Sequence, residues 1–416
     1  MYQPKTAIFA HHVVIMKLRR IILVLFLSHI LCGHSQTCKD SFPIISWGGI
    51  AADKADTLYS LAKECGFNTH LGLYSTQQNA VLSMDAAHRV QLGIIISFPQ
   101  IKDSTESAIA FIKDHPALVA YHIKDEPELC DFPWLKDLYD KISFLDSKHP
   151  CYINLLPNWS WGVEEYSENV ESFASEFDLP FYSFDNYPVI EENGAVKVRS
   201  DWYRNLEEFS AMARRHGKPF WAFALAKAHS ITEPQVAVYP EPTIGHLRLQ
   251  VFSNLLYGAQ AIQYFNFTGI VDPATCEKKP AFDLVRQVNS EVRVYSSVFT
   301  GCTVLGVWHI GETIPCGTSR LETMPHKSVK SIEIHPESIA GDISKLMSDE
   351  TPGAVVSLIE NAGETYLAIQ NRSCLEDVTI DITFSRGVSH ITLAGPVRFN
   401  GQPLILEPGN IAIFQL

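Results

Sequence analysis

The feature that most constrains the fold of this chain is the alternation of short apolar runs with longer amphipathic segments between about residues 41 and 300. Such alternation is typical of repeated strand–helix units, in which each helix returns the chain to begin the next parallel strand. Eight apolar runs can be counted, and they begin at Pro43, Phe67, Leu92, Leu118, Cys151, Leu179, Lys218 and Ala261.

Eight strand–helix units in a segment of this length predict a (β/α)8 barrel. The alternative is an open doubly wound sheet, which normally carries a Gly-rich phosphate-binding turn after its first strand. The corresponding segment, "SWGGIAADKAD" from Ser46 to Asp56, has Gly48 and Gly49 but no GxGxxG pattern. We therefore predict a closed α/β barrel over residues 41–300.

The pattern changes after Thr300, where short apolar runs with period-two alternation are separated by turn residues such as Asn361 and Gly409. In "VTIDITF", Val378–Phe384, every second residue is apolar. This spacing is typical of a strand with one buried face, so residues 301–416 are predicted to form an antiparallel β-sandwich.

The first 35 residues predict a secretory signal peptide. "MKLRR" at 16–20 supplies positive charge, "IILVLFL" at 21–27 an apolar segment and "GHS" at 33–35 a cleavage site, so the true start would be Met16. A lipoprotein anchored through Cys32 is the alternative, but Ile30 and Leu31 are poor substitutes for the small residues that precede such a cysteine. We expect an exported protein, in the periplasm, secreted or at the cell surface, with no transmembrane segment after signal removal.

Charge and cysteine spacing disfavour several classes of function. The net charge is −13, and no Lys/Arg run continues beyond the N-terminal segment, so a nucleic-acid partner is not expected. The eight cysteines after the signal are widely spaced and fit no CxxC metal pattern; disulfides and buried free thiols are both compatible with them. We expect no metal site and no cofactor, and the oligomeric state is left open.

In a (β/α)8 barrel the active site forms at the carboxyl ends of the strands. The predicted strands end in carboxylates, amides and aromatic rings, which suit a sugar because its hydroxyl groups need polar partners and its C–H faces stack on rings. The candidate substrate-binding residues are Trp47, Asp125, Asn154, Asn186, Tyr187, Trp221 and Tyr264. For Trp221 and Tyr264, packing inside the barrel is an equally good interpretation.

Glycosidic bond cleavage requires a carboxylic acid that protonates the leaving oxygen and a second carboxylate that acts as nucleophile or base. Glu126, after the fourth strand, is the best candidate for the acid, because a carboxyl group half-buried among rings keeps its proton to higher pH. Asp185, after the sixth strand, is the candidate base or substrate anchor. Alternatively, "DEPE" at 125–128 is an exposed turn that caps the next helix.

The segment "YHIKDEPE" at 121–128, followed by "YSFDNYP" at 182–188, resembles the barrel of glycoside hydrolase family 42, a β-galactosidase family in the large clan of retaining (β/α)8 glycosidases. The resemblance implies that Glu126 is the acid/base and that Asp185, Asn186 and Tyr187 belong to the family's second motif, with Phe184 in place of its Trp. Asp125 stands where that family has an Asn that holds the 2-hydroxyl of the sugar.

The chain departs from this pattern at the seventh strand, where the clan has its nucleophilic Glu. "KPFWAFALAKAHS" at 218–230 contains no carboxylate. Glu233 or Glu241 from the next segment could supply one, or Asp185 could be the base of an inverting mechanism. We predict a glycoside hydrolase; the alternative is a sugar-binding pseudoenzyme on the same barrel. A lyase or esterase is less well supported, since no GxSxG motif is present.

Overall fold

The computed structural model of the protein describes residues 42–230, 237–336 and 353–416. The predicted signal peptide, with Met16 and Cys32, and the alternative second carboxylate Glu233 lie outside these ranges. Within the described ranges, no helix has the length and apolar character needed to cross a membrane.

Eight parallel strands close into a barrel, and each of them lies in one of the eight predicted apolar runs. With labels in chain order over the whole molecule, they are β1 (Ile44–Trp47), β2 (Thr69–Leu73), β3 (Gly93–Ser97), β4 (Leu118–Asp125), β5 (Cys151–Leu155), β6 (Tyr182–Phe184), β9 (Phe220–Leu225) and β12 (Ala261–Phe265). Strand β1 pairs with both β2 and β12, which closes the ring. The predicted barrel is confirmed, and the open sheet is excluded.

Helices connect the barrel strands on the outside. They are Ala55–Glu64, Gln77–Arg89, Gln100–Asp103, Thr105–Ile112, Phe132–Leu145, Asn158–Trp161, Tyr166–Glu176, Trp202–Arg215, Ile244–Leu256 and Ala281–Phe299, with short 3-10 helices at Ala52–Lys54, Leu129–Asp131 and Phe267–Gly269. Thr76 and Thr243 begin two of the long helices, because each hydroxyl accepts a hydrogen bond from a backbone N–H of the first turn.

A small antiparallel sheet, which we call the mouth sheet, lies at the carboxyl end of the barrel. Strands β7 (Val189–Glu192) and β8 (Ala195–Val198) come from the connection after β6, and β10 (His229–Ser230) and β11 (Ala237–Tyr239) come from the connection after β9. Because β11 pairs with β7, the connections after the sixth and seventh barrel strands are joined beside the carboxyl ends of those strands.

The lower interior of the barrel is filled with aromatic side chains rather than open. Trp221 stacks on Phe181 with 3.6 Å between ring centroids and 5° between ring planes. Tyr152 packs against both rings with centroids 6.0 Å away. This layer forms the floor below the carboxyl ends of the strands, as expected for a barrel whose centre is a packed core.

Two antiparallel sheets follow the barrel. The larger has the order β13 (Thr303–Gly311), β15 (Gly353–Asn361), β16 (Glu364–Asn371), β21 (Ile411–Gln415), β18 (Ser389–Thr392) and β19 (Gly395–Arg398), and the smaller has β14 (Val329–Pro336), β17 (Val378–Phe384) and β20 (Leu404–Leu406). The alternation predicted for β17 is present, since Val378, Ile380 and Ile382 are buried between the sheets. The predicted C-terminal β-sandwich is confirmed.

The other face of the larger sheet packs on the barrel helix Ile244–Leu256. The side-chain amide of Gln370 donates to the backbone carbonyl groups of Arg248 and Leu249 and accepts a 2.7 Å hydrogen bond from the Ser253 hydroxyl. The amide is fully buried, so these bonds satisfy polar groups of both domains and fix the sheet on the helix.

Candidate active site

The candidate site forms where β4 and β6 leave the barrel. Asp125 is the last residue of β4, and Glu126 follows with a left-handed backbone, φ +49°. The backbone N–H of Glu126 donates to the carbonyl oxygen of Asn154 on β5, 2.8 Å away. The strand pairing thus continues one residue past β4, and Glu126 is held at the mouth although its backbone conformation is uncommon for a residue with a side chain.

Asp185 follows β6 and lies deeper than Glu126, with 8% of its surface exposed. The carboxyl groups of Glu126 and Asp185, which we call the carboxyl pair, lie within hydrogen-bonding reach of each other, and each shifts the pKa of the other. Two ionised carboxylates are both acceptors only, so a hydrogen bond between them requires one shared proton.

The pKa values of this group of acids are raised. Burial is the largest cause at Asp185, followed by the negative charges of Glu126 and Asp125, and its pKa lies well above the ordinary value. Burial also raises the pKa of Glu126, and it raises the pKa of Asp125 to about 6 with the help of the Glu126 charge. Asp125 and Glu126 keep solvent-exposed atoms, but protein surrounds much of each carboxyl group at the concave mouth.

Asn154 lies beneath the acids and connects them. Its side-chain N–H group donates to the Oδ1 atom of Asp185 at 2.7 Å and to the Oδ1 atom of Asp125 at 3.3 Å, and its own oxygen accepts from the Ser183 hydroxyl at 2.9 Å. Asn154 is 2% exposed. It was predicted to bind substrate; in the structure its side-chain polar atoms contact Asp185, Asp125 and Ser183.

Aromatic rings form the wall of the mouth opposite β4. Trp47, at the end of β1, contacts the rings of Phe223 and Phe265 with centroids 5.5 Å and 6.5 Å away. Phe265 also contacts Tyr187, at 5.9 Å, and Tyr187 contacts Tyr239 of the mouth sheet, at 5.7 Å. Trp47 and Tyr187, both predicted from the sequence, therefore belong to one continuous aromatic surface.

Three residues predicted to bind substrate lie elsewhere. Tyr264 is fully buried on the outer face of β12, where its ring contacts Phe67 at 5.6 Å. Trp221 points inward but lies at the start of β9, in the floor layer beneath the mouth. Asn186 faces away from the barrel axis and donates to Asn205 of the helix Trp202–Arg215, 2.8 Å away. In these positions all three residues pack inside the protein, which does not favour their predicted role in substrate binding.

The carboxyl end of β9 carries no acid. Ala224 and Ala226, at the position where the clan has its nucleophile, are buried in the core between strands and helices, and the residue between them, Leu225, is also buried. Glu241 is exposed, after the mouth-sheet strand β11. No described residue near the end of β9 therefore replaces the missing carboxylate.

The spacing of the carboxyl pair bears on mechanism. Catalytic carboxyl groups are about 5–5.5 Å apart in retaining glycosidases and about 6.5–9.5 Å apart in inverting ones. Carboxyl groups within hydrogen-bonding reach of each other lie closer together than either of these distance ranges. The spacing of Glu126 and Asp185 therefore does not match the wide gap of an inverting mechanism in this conformation.

His122, on β4, lies inside the barrel between Trp47 and Tyr152, with ring centroids 5.3 Å and 5.5 Å away, and burial lowers its pKa to about 3, so it is neutral. The described residues contain no group of three or more His, Cys, Asp or Glu side chains that could hold a metal ion. Phe265 and Tyr239 are mouth residues that the sequence analysis did not identify as such.

Comparisons with known proteins support the fold. No protein-family model matches the chain, and no curated protein matches its sequence. Three solved structures cover 90% of the chain: one titled "Glycoside hydrolase" (12% identity, TM-score 0.52, 92% of its own chain), a family 39 glycoside hydrolase from the gut symbiont Bacteroides cellulosilyticus (10%, 0.50, 81%) and a family 5 glycoside hydrolase from Bacteroides vulgatus (11%, 0.51, 89%). At these identities the likeness shows that the chain shares the fold of glycoside hydrolases, and it does not single out family 42.

Proposed function

We propose that this protein is a glycoside hydrolase that cleaves an O-glycosidic bond in an oligo- or polysaccharide after export, with Glu126 as the proton donor and Asp185 as its partner. The observation that carries the proposal is the carboxyl pair, two neighbouring acids with raised pKa values at the carboxyl end of a (β/α)8 barrel. A carboxylic acid that keeps its proton near neutral pH is what general acid catalysis of glycoside cleavage requires.

The two acids differ in access. Asp185 is buried below the mouth, whereas Glu126 is exposed at its rim, so a glycosidic oxygen that enters the mouth meets Glu126 first. Transfer of the shared proton to that oxygen breaks the C–O bond and leaves both carboxylates ionised beside the positive charge that develops on the sugar ring. A water molecule then adds to the sugar carbon and returns a proton to the pair. Asp125, with a pKa of about 6, and Tyr187 are placed to bind sugar hydroxyl groups, and Trp47 supplies a ring on which the sugar can stack.

A second candidate function is favoured by one observation, the lack of a carboxylate at the end of β9. Without a nucleophile or a base on the opposite side of the sugar, the same mouth would bind a glycan and release it unchanged. The mouth residues would then serve recognition only, and the shared proton would allow the pair to donate a hydrogen bond to a sugar hydroxyl.

Substitution of Glu126 separates the two functions. Glu126→Gln keeps the size of the side chain but removes the transferable proton, and Glu322→Gln, at an exposed position of the C-terminal domain, is the matched control. Both variants and the parent protein are incubated with aryl glycosides, including aryl β-galactosides, and with a panel of polysaccharides. Released sugar is quantified, and glycan affinity is measured in parallel by calorimetry.

We expect the parent and Glu322→Gln to release sugar at similar rates and Glu126→Gln to be slower by about 100-fold or more, the usual size of a general acid contribution. Unchanged turnover in Glu126→Gln would refute the assignment of the acid. Glycan binding by a parent protein that releases no sugar from any substrate would refute hydrolysis and favour the second function.

A further inference from the structure

A row of buried polar side chains crosses the inside of the barrel and ends at the carboxyl pair. It consists of Tyr152 and Asn154 on β5, Ser183 on β6 and Gln263 on β12, and we call it the interior chain. Each of these residues is at most 2% exposed. A buried polar network of this kind costs free energy unless every member is paired, so its presence in the middle of an apolar barrel needs an explanation.

Four hydrogen bonds link the interior chain, and in the one between the hydroxyl groups of Tyr152 and Ser183, 3.0 Å apart, either oxygen can be the donor. The Tyr152 hydroxyl donates to the Gln263 oxygen at 2.8 Å, and the Gln263 amide donates to the Ser183 hydroxyl at 2.8 Å. The Ser183 hydroxyl in turn donates to the Asn154 oxygen at 2.9 Å. Ser183 has a single hydrogen, so once that hydrogen points at Asn154, the amide of Gln263 must face Ser183 with its N–H group.

This direction fixes which end of the Asn154 amide faces the acids. With its oxygen held by Ser183, Asn154 presents its N–H group to Asp185 and Asp125. An N–H group cannot accept a proton from Asp185. The proton of Asp185 is therefore directed to its contact with Glu126, where it can be passed to a substrate.

We propose that Ser183 and Gln263 are positioning residues that hold the Asn154 amide with its N–H group toward Asp185, and so keep the shared proton between Asp185 and Glu126. This inference rests on the proposed role of Glu126 as proton donor. Neither Ser183 nor Gln263 would touch the substrate, because both lie below the acids in the buried interior of the barrel.

Other titratable groups face the carboxyl pair. They are Asp125, Lys124 and Glu128 on the same segment, and Tyr152, Tyr166, Tyr187 and Tyr239 from β5, the helix Tyr166–Glu176, the residues after β6 and the mouth sheet. Burial raises the pKa of each of the four tyrosines above its ordinary value, so they stay neutral over the range in which the pair acts. Asp125, with a pKa of about 6, is the remaining group that titrates in this range, and its charge is present in parent and variants alike.

The test substitutes Ser183 in the full-length protein. Ser183→Ala removes the hydrogen that holds the Asn154 oxygen, so the amide can turn and accept the Asp185 proton. Loss of the N–H donated to Asp185 removes an interaction that lowers its pKa, and an Asn oxygen in its place stabilises the protonated form further. Ser183→Thr, which keeps a hydroxyl, should restore the parent behaviour, and Ser357→Ala is the control for loss of a buried hydroxyl far from the site.

Two readouts are compared. In the pH profile of glycan hydrolysis, Ser183→Ala should lower kcat about tenfold with KM unchanged, and its alkaline limb should move up by about one pH unit, as loss of one hydrogen bond to a charged group implies. The free energy of unfolding is also measured by urea denaturation at a series of pH values. For Ser183→Ala, the fall of this free energy with rising pH should continue to a higher pH than in the parent, by about one unit. Gln263→Leu, which removes the donor to Ser183, should change both readouts in the same direction if Ser183→Ala does not fold.

A profile and a stability curve for Ser183→Ala that match those of the parent, or equal shifts in Ser357→Ala, would overturn the proposal. The unfolding measurement does not depend on turnover. If the parent hydrolyses no glycan, the proposed function fails, while the pH dependence of stability still decides whether the interior chain controls the shared proton.

Discussion

Replacement of Asp185 by Asn should stabilise the protein by an amount that grows with pH. Asp185 is 8% exposed, and its pKa is raised well above the ordinary value because of burial and the neighbouring negative charges. The folded protein therefore keeps a proton that the unfolded chain releases above about pH 4. Stability is lost as the pH rises from there toward the raised pKa, because unfolding is then accompanied by proton release.

The magnitude follows from one proton. Each pH unit between the unfolded pKa and the raised folded pKa reduces the free energy of unfolding by up to about 1.4 kcal/mol. Asparagine cannot ionise and keeps the hydrogen bonds: its oxygen can accept from Asn154, and its amide can donate to Glu126. Asp185→Asn should therefore lack most of this slope and lose the proton that catalysis needs.

The assay is urea denaturation at half-unit steps from about pH 4.5 to pH 8, with circular dichroism as the signal. Asp137→Asn, at an exposed position on the helix Phe132–Leu145, is the matched control and should follow the parent. The difference in stability between Asp185→Asn and the parent should rise with pH at up to about 1.4 kcal/mol per unit. Parallel curves for the two proteins would show that no proton is held by the carboxyl pair and would refute the reasoning.

Two other substitutions test the assignment of roles at and below the mouth. Trp221→Ala should lower the free energy of unfolding by about 3–5 kcal/mol, because it removes a fully packed ring from the floor layer. Glycan affinity, measured by calorimetry, should not change. Weaker glycan binding with unchanged stability would instead assign Trp221 to the binding surface. Asp125, with a pKa of about 6, should bind a glycan more weakly at pH 5 than at pH 7 by up to about tenfold, since a charged acceptor makes the stronger hydrogen bond. Asp125→Asn should abolish that dependence, and the same dependence in the variant would contradict the assignment.

The barrel could be predicted from the sequence because each strand is an apolar run and each connection an amphipathic helix. Parallel barrel strands are buried on both faces. The runs that begin at Ile44, Gly93 and Phe220 are therefore continuously apolar and are easily distinguished from polar loops. In the C-terminal domain, strands with period-two alternation such as β17 were predicted. Strands β13 and β14 were not, because their exposed and half-buried positions carry residues of mixed polarity.

The direction of alternate side chains explains the positions of Asn186 and Tyr264, two of the residues predicted to bind substrate. Along β6 and the residues that follow it, Ser183, Asp185 and Tyr187 point inward. The residues between them, Phe184 and Asn186, must therefore point outward. On β12, Gln263 and Phe265 point inward, which places Tyr264 outside. This alternation of inward and outward side chains follows from the sequence. It would have removed Asn186 and Tyr264 from the candidate substrate-binding residues.

Depth along the strand is harder to predict than direction. Trp221 does point inward, but its pairing with Ala261, the first residue of β12, puts it in the floor layer. The register between strands that are distant in sequence sets this depth, and register does not follow from local pattern. The same holds for Tyr239, which reaches the mouth only because β11 pairs with β7 across two separate connections.

The carboxyl end of β4 and β6 also contains the clearest conflict between local preference and structure. Glu126 adopts a left-handed backbone that Gly or Asn would occupy at lower cost, and Asp185 is an acid buried where an Asn would form the same hydrogen bonds without a proton. Both choices reduce stability, and the proposed function would account for both, since it uses a proton at an accessible position. A barrel end that served packing alone would have no reason to keep them, which is why the carboxyl pair, rather than the fold, is the argument for catalysis.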